Sequence, residues 1–246
     1  MDAGAGHGRG FEDVADRWLR WARTPEHDAY WDYRDRFFDE IVPPPGRRTL
    51  EIGCGEGRTS RDLRSRGHHL VATDVSPTLV GHAQQADPGG RYQVADSTRL
   101  PFADGEFDLV VAYMVLMDVE DMPAAVREAA RVLGPSGRFC IGVTHPLADS
   151  GSFESHKDDA RFVIEGSYLE PRRIEVPVER GGLAFTFTGW AYPLEAYARA
   201  FESAGLLIES LREPPRPDRT RERTAGESRW RRIPNFLFLR CIKSGG

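Results

Sequence analysis

The residues best suited to chemistry lie in the segment Leu50-Glu51-Ile52-Gly53-Cys54-Gly55-Glu56-Gly57. Three alternate glycines follow a short apolar strand pattern and precede a polar-faced helical one. A glycine turn at such a junction is tight and lets a ligand approach the backbone. In an open α/β sheet it is where a dinucleotide or nucleoside binds. Spacing discriminates between the two, because a dinucleotide fingerprint puts its third glycine five residues after the first. Here the third, Gly57, comes at +4, and Arg58 stands at +5. Asp74 ends the next apolar segment, and one ionised carboxylate there can accept both hydroxyl protons of a vicinal diol. His145 follows a fifth apolar segment in Val143-Thr144-His145-Pro146. Histidine titrates near neutrality, and ligands bind beyond that sheet edge, so His145 is read as a general base or as a pocket-lining residue.

These residues need a frame. Thr49–Ile52, His69–Thr73, Tyr92–Ala95, Phe107–Met114 and Arg138–Val143 read as strands. Phe107–Met114 is nearly continuous in apolar residues, as expected of a strand buried on both faces. Glu56–Arg66, Pro77–Ala86 and Met122–Leu133 read as the helices between them. The alternation specifies an open, mostly parallel α/β sheet. It fails after Thr144: residues 145–190 hold no good helix but carry the β-rich pieces Phe162–Ile164, Ile174–Val178 and Ala184–Thr188, read as antiparallel strands inserted over the sheet. Helix Pro193–Ala204 and strands Leu206–Leu211 and Asn235–Cys241 resume the pattern around a polar stretch at 214–232. Ahead of the sheet, residues 1–10 are Gly-rich and read as disordered. Phe11–Ile41 forms two aromatic-rich helices broken at Thr24-Pro25.

Composition bounds the function. The chain has 246 residues, 40% hydrophobic and 29% charged, enough for a large single domain with an insertion. Its net charge of −5 argues against bulk nucleic-acid affinity. No apolar run approaches a membrane span and no signal peptide opens the chain, so a cytoplasmic setting is expected. The cysteines Cys54, Cys140 and Cys241 are too few and scattered for a disulfide framework or a zinc set, and His145, His156 and Asp158 match no metal signature. Only Lys157 and Lys243 are lysines among 33 basic residues. The arginine excess reads mainly as GC-rich coding, with anion recognition left for single positions. The run from Arg216 to Arg232 is net +4 with interleaved acids and reads as a solvated mobile loop.

The E-x-G-x-G-x-G arrangement resembles the first motif of the class I S-adenosylmethionine-dependent methyltransferases. Further pieces agree in order over residues 48–145: Asp74, Asp96 in Val94-Ala95-Asp96-Ser97, the lead-in Leu100-Pro101-Phe102-Ala103-Asp104-Gly105-Glu106-Phe107-Asp108, and the turn Leu133-Gly134-Pro135-Ser136-Gly137-Arg138. The subfamily resembled is the small-molecule, type 11 kind related to ubiquinone and sterol enzymes. The resemblance implies a Rossmann-like seven-stranded sheet of order 3-2-1-4-5-7-6, the last strand antiparallel, helices on both faces and a β-rich lid. It divides the chain into a helical cap at 11–46, an S-adenosylmethionine-binding core at 47–144, a lid at 145–190, and the rest of the sheet at 191–246. It also makes the fifth and last strands, with Cys140 and Cys241, neighbours.

For the cofactor, the resemblance assigns Asp74 to the ribose and Asp96, helped by Ser97, to the adenine amino group. Gly53, Cys54, Gly55, Gly57 and Val75 surround it, with Cys54 a packed turn residue rather than a reactive thiol. Ala112 or Tyr113 meets the methionine part through its backbone. Glu51 orients the loop or reaches the ammonium through water, and Arg58 or Arg36 takes the carboxylate. Tyr30, Trp31 and Tyr33 are either a lid or ordinary helix packing. For the acceptor, Tyr33, Met117, His145, His156, Tyr168, Trp190 and Tyr192 suggest a mostly apolar pocket. The expected activity is methyl transfer by in-line displacement to a small molecule of bacterial specialised metabolism, leaving S-adenosylhomocysteine, by a monomer or homodimer with no nucleic-acid or membrane partner. The competing readings are a protein or RNA methyltransferase, a nicotinamide-dependent oxidoreductase and a non-catalytic nucleoside-binding protein.

Overall fold

Seven segments of alternating or continuous apolar character pair into one sheet in the computed structural model, which describes residues 9–24, 27–216 and 227–244. In chain order they are β1 (Arg48–Ile52), β2 (His69–Asp74), β3 (Tyr92–Val94), β4 (Phe107–Tyr113), β5 (Leu133–Thr144), β10 (Leu206–Arg212) and β11 (Phe236–Lys243). The spatial order is β3-β2-β1-β4-β5-β11-β10. Strands β1 to β5 run parallel, and β11 is antiparallel to both β5 and β10. This is the expected 3-2-1-4-5-7-6 order, with the lid strands β6 to β9 counted in between.

Strand periodicity sends alternate residues to opposite faces, and both faces are covered. Val110, Ala112, Ile141 and Leu239 pack with helices α5 (Met122–Val132) and α7 (Leu194–Ser203). Leu109, Val111, Cys140 and Phe238 pack with α2 (Tyr30–Glu40) and α3 (Arg58–Ser65). Hence the continuous apolar run of β4. The same alternation separates the neighbouring cysteines: Cys140 lies opposite Arg240, and Cys241 opposite Phe139. Cys140 therefore faces α2 and Cys241 faces α5 and α7, and all three cysteines are free and buried.

Helix α4 (Pro77–Ala86) starts as its sequence dictates, with Ser76 accepting from the Leu79 amide and proline in the first turn. The fifth strand starts earlier than Arg138, because Leu133 already pairs with Phe107 and the turn-like residues 134–137 are drawn into an irregular strand start. The lid divides into two separate hairpins, β6–β7 (Gly151–Phe153 and Phe162–Ile164) and β8–β9 (Arg172–Arg180 and Leu183–Ala191). A single-turn α6 (Pro146–Asp149) opens the stretch expected to lack helix. The expected mobile loop is in part docked: the turn Glu227–Arg231 places Trp230 edge-on against Phe153 at 5.0 Å. Residues 217–226 of that loop, and 1–8 of the expected disordered terminus, lie outside the described residues. No helix among the described residues is long and apolar enough to cross a membrane.

Candidate active site

A cavity of about 480 Å³ opens beyond the carboxyl ends of β1, β2, β4 and β5. Trp18 and Trp21 of α1 (Arg9–Arg23) and Ile174, Val176, Phe187 and Thr188 of the β8–β9 hairpin close its other side.

The glycine loop forms one wall. Gly53 has φ +69°, and a Cβ there would lie 2.3 Å from Val115 Cγ2. Gly55 has φ +54°, and a Cβ there would lie 2.8 Å from the Trp18 ring. Both must lack a side chain for β4's extension and α1 to come this close. Asp74 fixes the loop: one carboxylate oxygen accepts from the Gly55 amide at 2.7 Å, the other from the Ser76 amide at 2.9 Å. A carboxylate has about four lone-pair sites, so acceptor capacity remains on the cavity side. Asp74 is 8% exposed, and burial raises its pKa above the usual aspartate value. Helix α1 is strapped on by Glu12, which accepts from the Ser76 and Thr78 hydroxyls. Arg23 adds a second strap, donating to Glu56 at 3.0 Å.

Arg58 opens α3 with its side chain only 10% exposed. One terminal nitrogen donates to Asp28 at 3.1 Å, and the guanidinium lies over the Tyr30 ring at 4.5 Å. The other terminal nitrogen, Nη1, is buried without a partner. A buried fork with an unsatisfied edge fits a ligand carboxylate. At the far end Val75, Leu79, Ala95, Asp96 and Ser97 line the cavity, and Asp96 accepts from the Thr98 amide and hydroxyl at 2.8 Å. The donor set suits a nucleoside joined to an amino acid: a diol acceptor in Asp74, a carboxylate donor in Arg58, and backbone that a ligand can touch.

Tyr113, Met114, Met117, Asp118, Val119, Thr144, Asp149 and Phe236 line the remainder with the hairpin. Met114 carries φ +59°, a strained value for a non-glycine residue. That bend takes the chain from β4 into the 3-10 turn Leu116–Asp118. Asp149 accepts from the Thr144 hydroxyl, and burial pushes its pKa up to about 6.

Of the residues expected at the site, Gly53, Cys54, Gly55, Arg58, Asp74, Val75, Asp96, Ser97, Tyr113 and Met117 line this cavity. The others stand elsewhere. Glu51 lies beneath the loop, 1% exposed, accepting from the Ser60 hydroxyl; burial pushes its pKa up to about 8. Gly57 caps α3 and Ala112 belongs to the core. Arg36 pairs with Glu40 on its own helix at 3.0 Å, and Tyr33 packs against Phe236 at 4.6 Å. Tyr30, by contrast, lines the cavity, while Trp31 is exposed. His145 does not line it. Its Nδ1 accepts from the Leu147 amide at 3.1 Å, capping α6, and its Nε2 meets Glu213 at 2.9 Å, so both ring nitrogens are engaged. His156 is exposed, and the Tyr168 hydroxyl accepts from the Leu194 amide at 3.2 Å. Tyr192 stacks with Trp190 and donates to the Val119 and Glu120 carbonyls at 2.9 and 2.6 Å, which props up the turn after β4. None of these lid aromatics lines the cavity, and Phe187 of β9 does instead. Sequence reading missed Trp18, Trp21, Asp28, Asp118, Asp149 and Phe187. Asp118 alone had a local signal, an acid between Met117 and Val119 just past a buried strand's carboxyl end. Among the described residues no three His, Cys, Asp or Glu side chains are grouped to hold a metal ion.

A family described as a methyltransferase domain matches residues 50–141. A demethylmenaquinone methyltransferase of Beutenbergia cavernae is 34% identical over 133 residues, 53% of this chain and 55% of that protein. A malonyl-[acyl-carrier protein] O-methyltransferase of Erwinia pyrifoliae is 33% identical over 181 residues, 72% of this chain and 65% of that protein. The chain thus spans between half and two thirds of these relatives' length. The crystal structure of an S-adenosylmethionine-dependent methyltransferase from Mesorhizobium loti shares the fold with a TM-score of 0.67 at 23% identity, covering 87% of this chain and 98% of that one. Residues 50–141 thus match a methyltransferase domain, and the chain has the fold of a solved S-adenosylmethionine-dependent methyltransferase.

Proposed function

We propose that the whole protein transfers a methyl group from S-adenosylmethionine to a small molecule held under the β8–β9 hairpin. The observation that carries this reading is one wall on which Asp74, the Gly53–Gly55 backbone and the unpaired edge of Arg58 all line the same cavity. When bound, S-adenosylmethionine supplies a methyl group activated on a sulfonium. The residues of this chain do the rest. Asp74 orients the ribose, Arg58 anchors the carboxylate, and Asp96 and Ser97 reach the base. Trp18, Trp21 and the hairpin exclude water, so that a nucleophile is held in line with the methyl carbon.

A small acceptor is supported by the cavity's enclosure and its mostly apolar lining. The net charge of −5 opposes an RNA substrate. The relatives are named for demethylmenaquinone and malonyl-[acyl-carrier protein], which leaves the acceptor to be found by assay. Isothermal titration of the folded protein with S-adenosylhomocysteine, NAD and NADP tests the reading. Binding of the first alone is expected. Binding of a nicotinamide cofactor instead, or of none of the three, would overturn it.

A further inference from the structure

Cofactor binding leaves one acid of the cavity without a task. Asp118 ends the 3-10 turn after β4, and its amide donates to the Val115 carbonyl at 2.8 Å. Its carboxyl lines the cavity, and among the described residues no donor or cation pairs with it. The neighbouring acids are all satisfied: Asp74 by two amides, Glu56 by Arg23 and Arg61, Asp149 by Thr144. Asp118 is half-buried, so its unpaired carboxyl has only the cavity to turn to for a partner. Strand β9 crosses it at Gly189, where a Cβ would lie 3.1 Å from Asp118 Oδ1 and 3.0 Å from the Met117 carbonyl oxygen. Any side chain at 189 would press on this carboxyl. The groups that face Asp118 are Asp149 of α6, Asp74 of β2 and the Tyr197 phenol of α7, none of them a cation. Arg58 is engaged with Asp28, and Arg172 donates to the Asp149 carbonyl.

We propose that Asp118 receives the proton of the methyl acceptor, and that the acceptor is a hydroxyl or amine on an apolar body rather than a carboxylate or phosphate. This rests on reading the cavity as the methyl-transfer site. The acceptor's lone pair forms the new bond to the methyl carbon while the sulfur–methyl bond breaks with its electron pair going to sulfur. The O–H or N–H proton passes to an Asp118 carboxylate oxygen, so charge and atoms balance without a further reactant. Burial and the two nearby acids hold the Asp118 pKa well above the usual carboxylate range, which makes the ionised carboxylate a stronger base. A cation sharing the cavity favours the ionised form. An anionic acceptor beside Asp118 would also meet Asp149 and Asp74, the charged groups that act on Asp118, both of them acids.

The test uses Asp118→Asn, which keeps the shape and removes the base. Titration with S-adenosylhomocysteine comes first. If the wild type fails to bind, the cofactor reading itself is wrong. If only the variant loses affinity, by about tenfold or more, Asp118 serves the cofactor and the proposal is overturned. The acceptor class is read from saturation-transfer NMR on the S-adenosylhomocysteine complex with benzyl alcohol, benzylamine and benzoate. The first two should bind the wild type better than benzoate, and the preference should vanish in the variant. Equal or better benzoate binding, or none of the three binding, would sink the acceptor class. Turnover is then followed on hydroxyl and amine acceptors. The variant should lose about 10²-fold or more in kcat with KM little changed. The wild-type kcat should rise with pH through one ionisation that the variant lacks. Unchanged kcat and pH profile, or turnover of carboxylate acceptors alone, would overturn the proposal.

Discussion

Arg58 and Glu51 show how burial assigns roles within one motif. Arg58 has one nitrogen on Asp28 and the other unpaired, so its contribution to binding should be confined to the amino-acid end of the ligand. Arg58→Ala should weaken S-adenosylhomocysteine about 10- to 100-fold, the worth of a charged hydrogen bond. It should leave 5′-methylthioadenosine, which lacks that carboxylate, nearly unchanged; calorimetry with both ligands checks this. Glu51 has a folded-state pKa of about 8 against an ordinary 4.5. Below the ordinary value both states are protonated. As pH rises toward 8 the unfolded chain releases its proton first, so this group lowers stability across that window and holds the loss above it. Glu51→Gln should therefore melt close to wild type at about pH 5 and higher than wild type at about pH 9. The motif announced both residues, but only their surroundings decide that one lines the cavity and the other is buried beneath the loop.

At the scale of elements, the strands and helices of the sheet lie within a few residues of where periodicity puts them, because each apolar pattern is a local consequence of which faces are buried. The exceptions have local causes. The turn before the fifth strand is absorbed because Leu133 pairs with Phe107, and α6 forms because His145 caps a helix that has proline in its first turn. The close approach of the β4 extension to the glycine loop was not legible, since it joins residues sixty positions apart. It yields a prediction. Gly53→Ala must place a methyl against Val115 at φ +69°. It should cost about 1–3 kcal/mol and lower Tm by about 2–4 °C per kcal/mol, read by thermal unfolding monitored by circular dichroism.

For the whole molecule, the sequence by itself determined the α/β class, and the resemblance carried by its motifs implied the sheet order and the glycine-loop wall of the cavity. The glycine turn and the arginine at the helix start adjoin in sequence, and the parallel pairing of β1 with β2 brings the strand-end acid Asp74 to them. Only the tertiary structure decided the opposite side of the cavity. Trp18 comes from a helix before the sheet, Asp118 from a turn after β4, and Phe187 and Gly189 from a hairpin inserted after β5. His145 looked suited to chemistry by type and place, yet both its ring nitrogens are taken by the α6 cap and Glu213. Asp118 carried a local signal, but only β9, crossing at a glycine, shows it at the cavity with no partner among the described residues. A side chain's availability depends on what the remote chain packs against it, and that is fixed by long-range burial rather than by sequence neighbours.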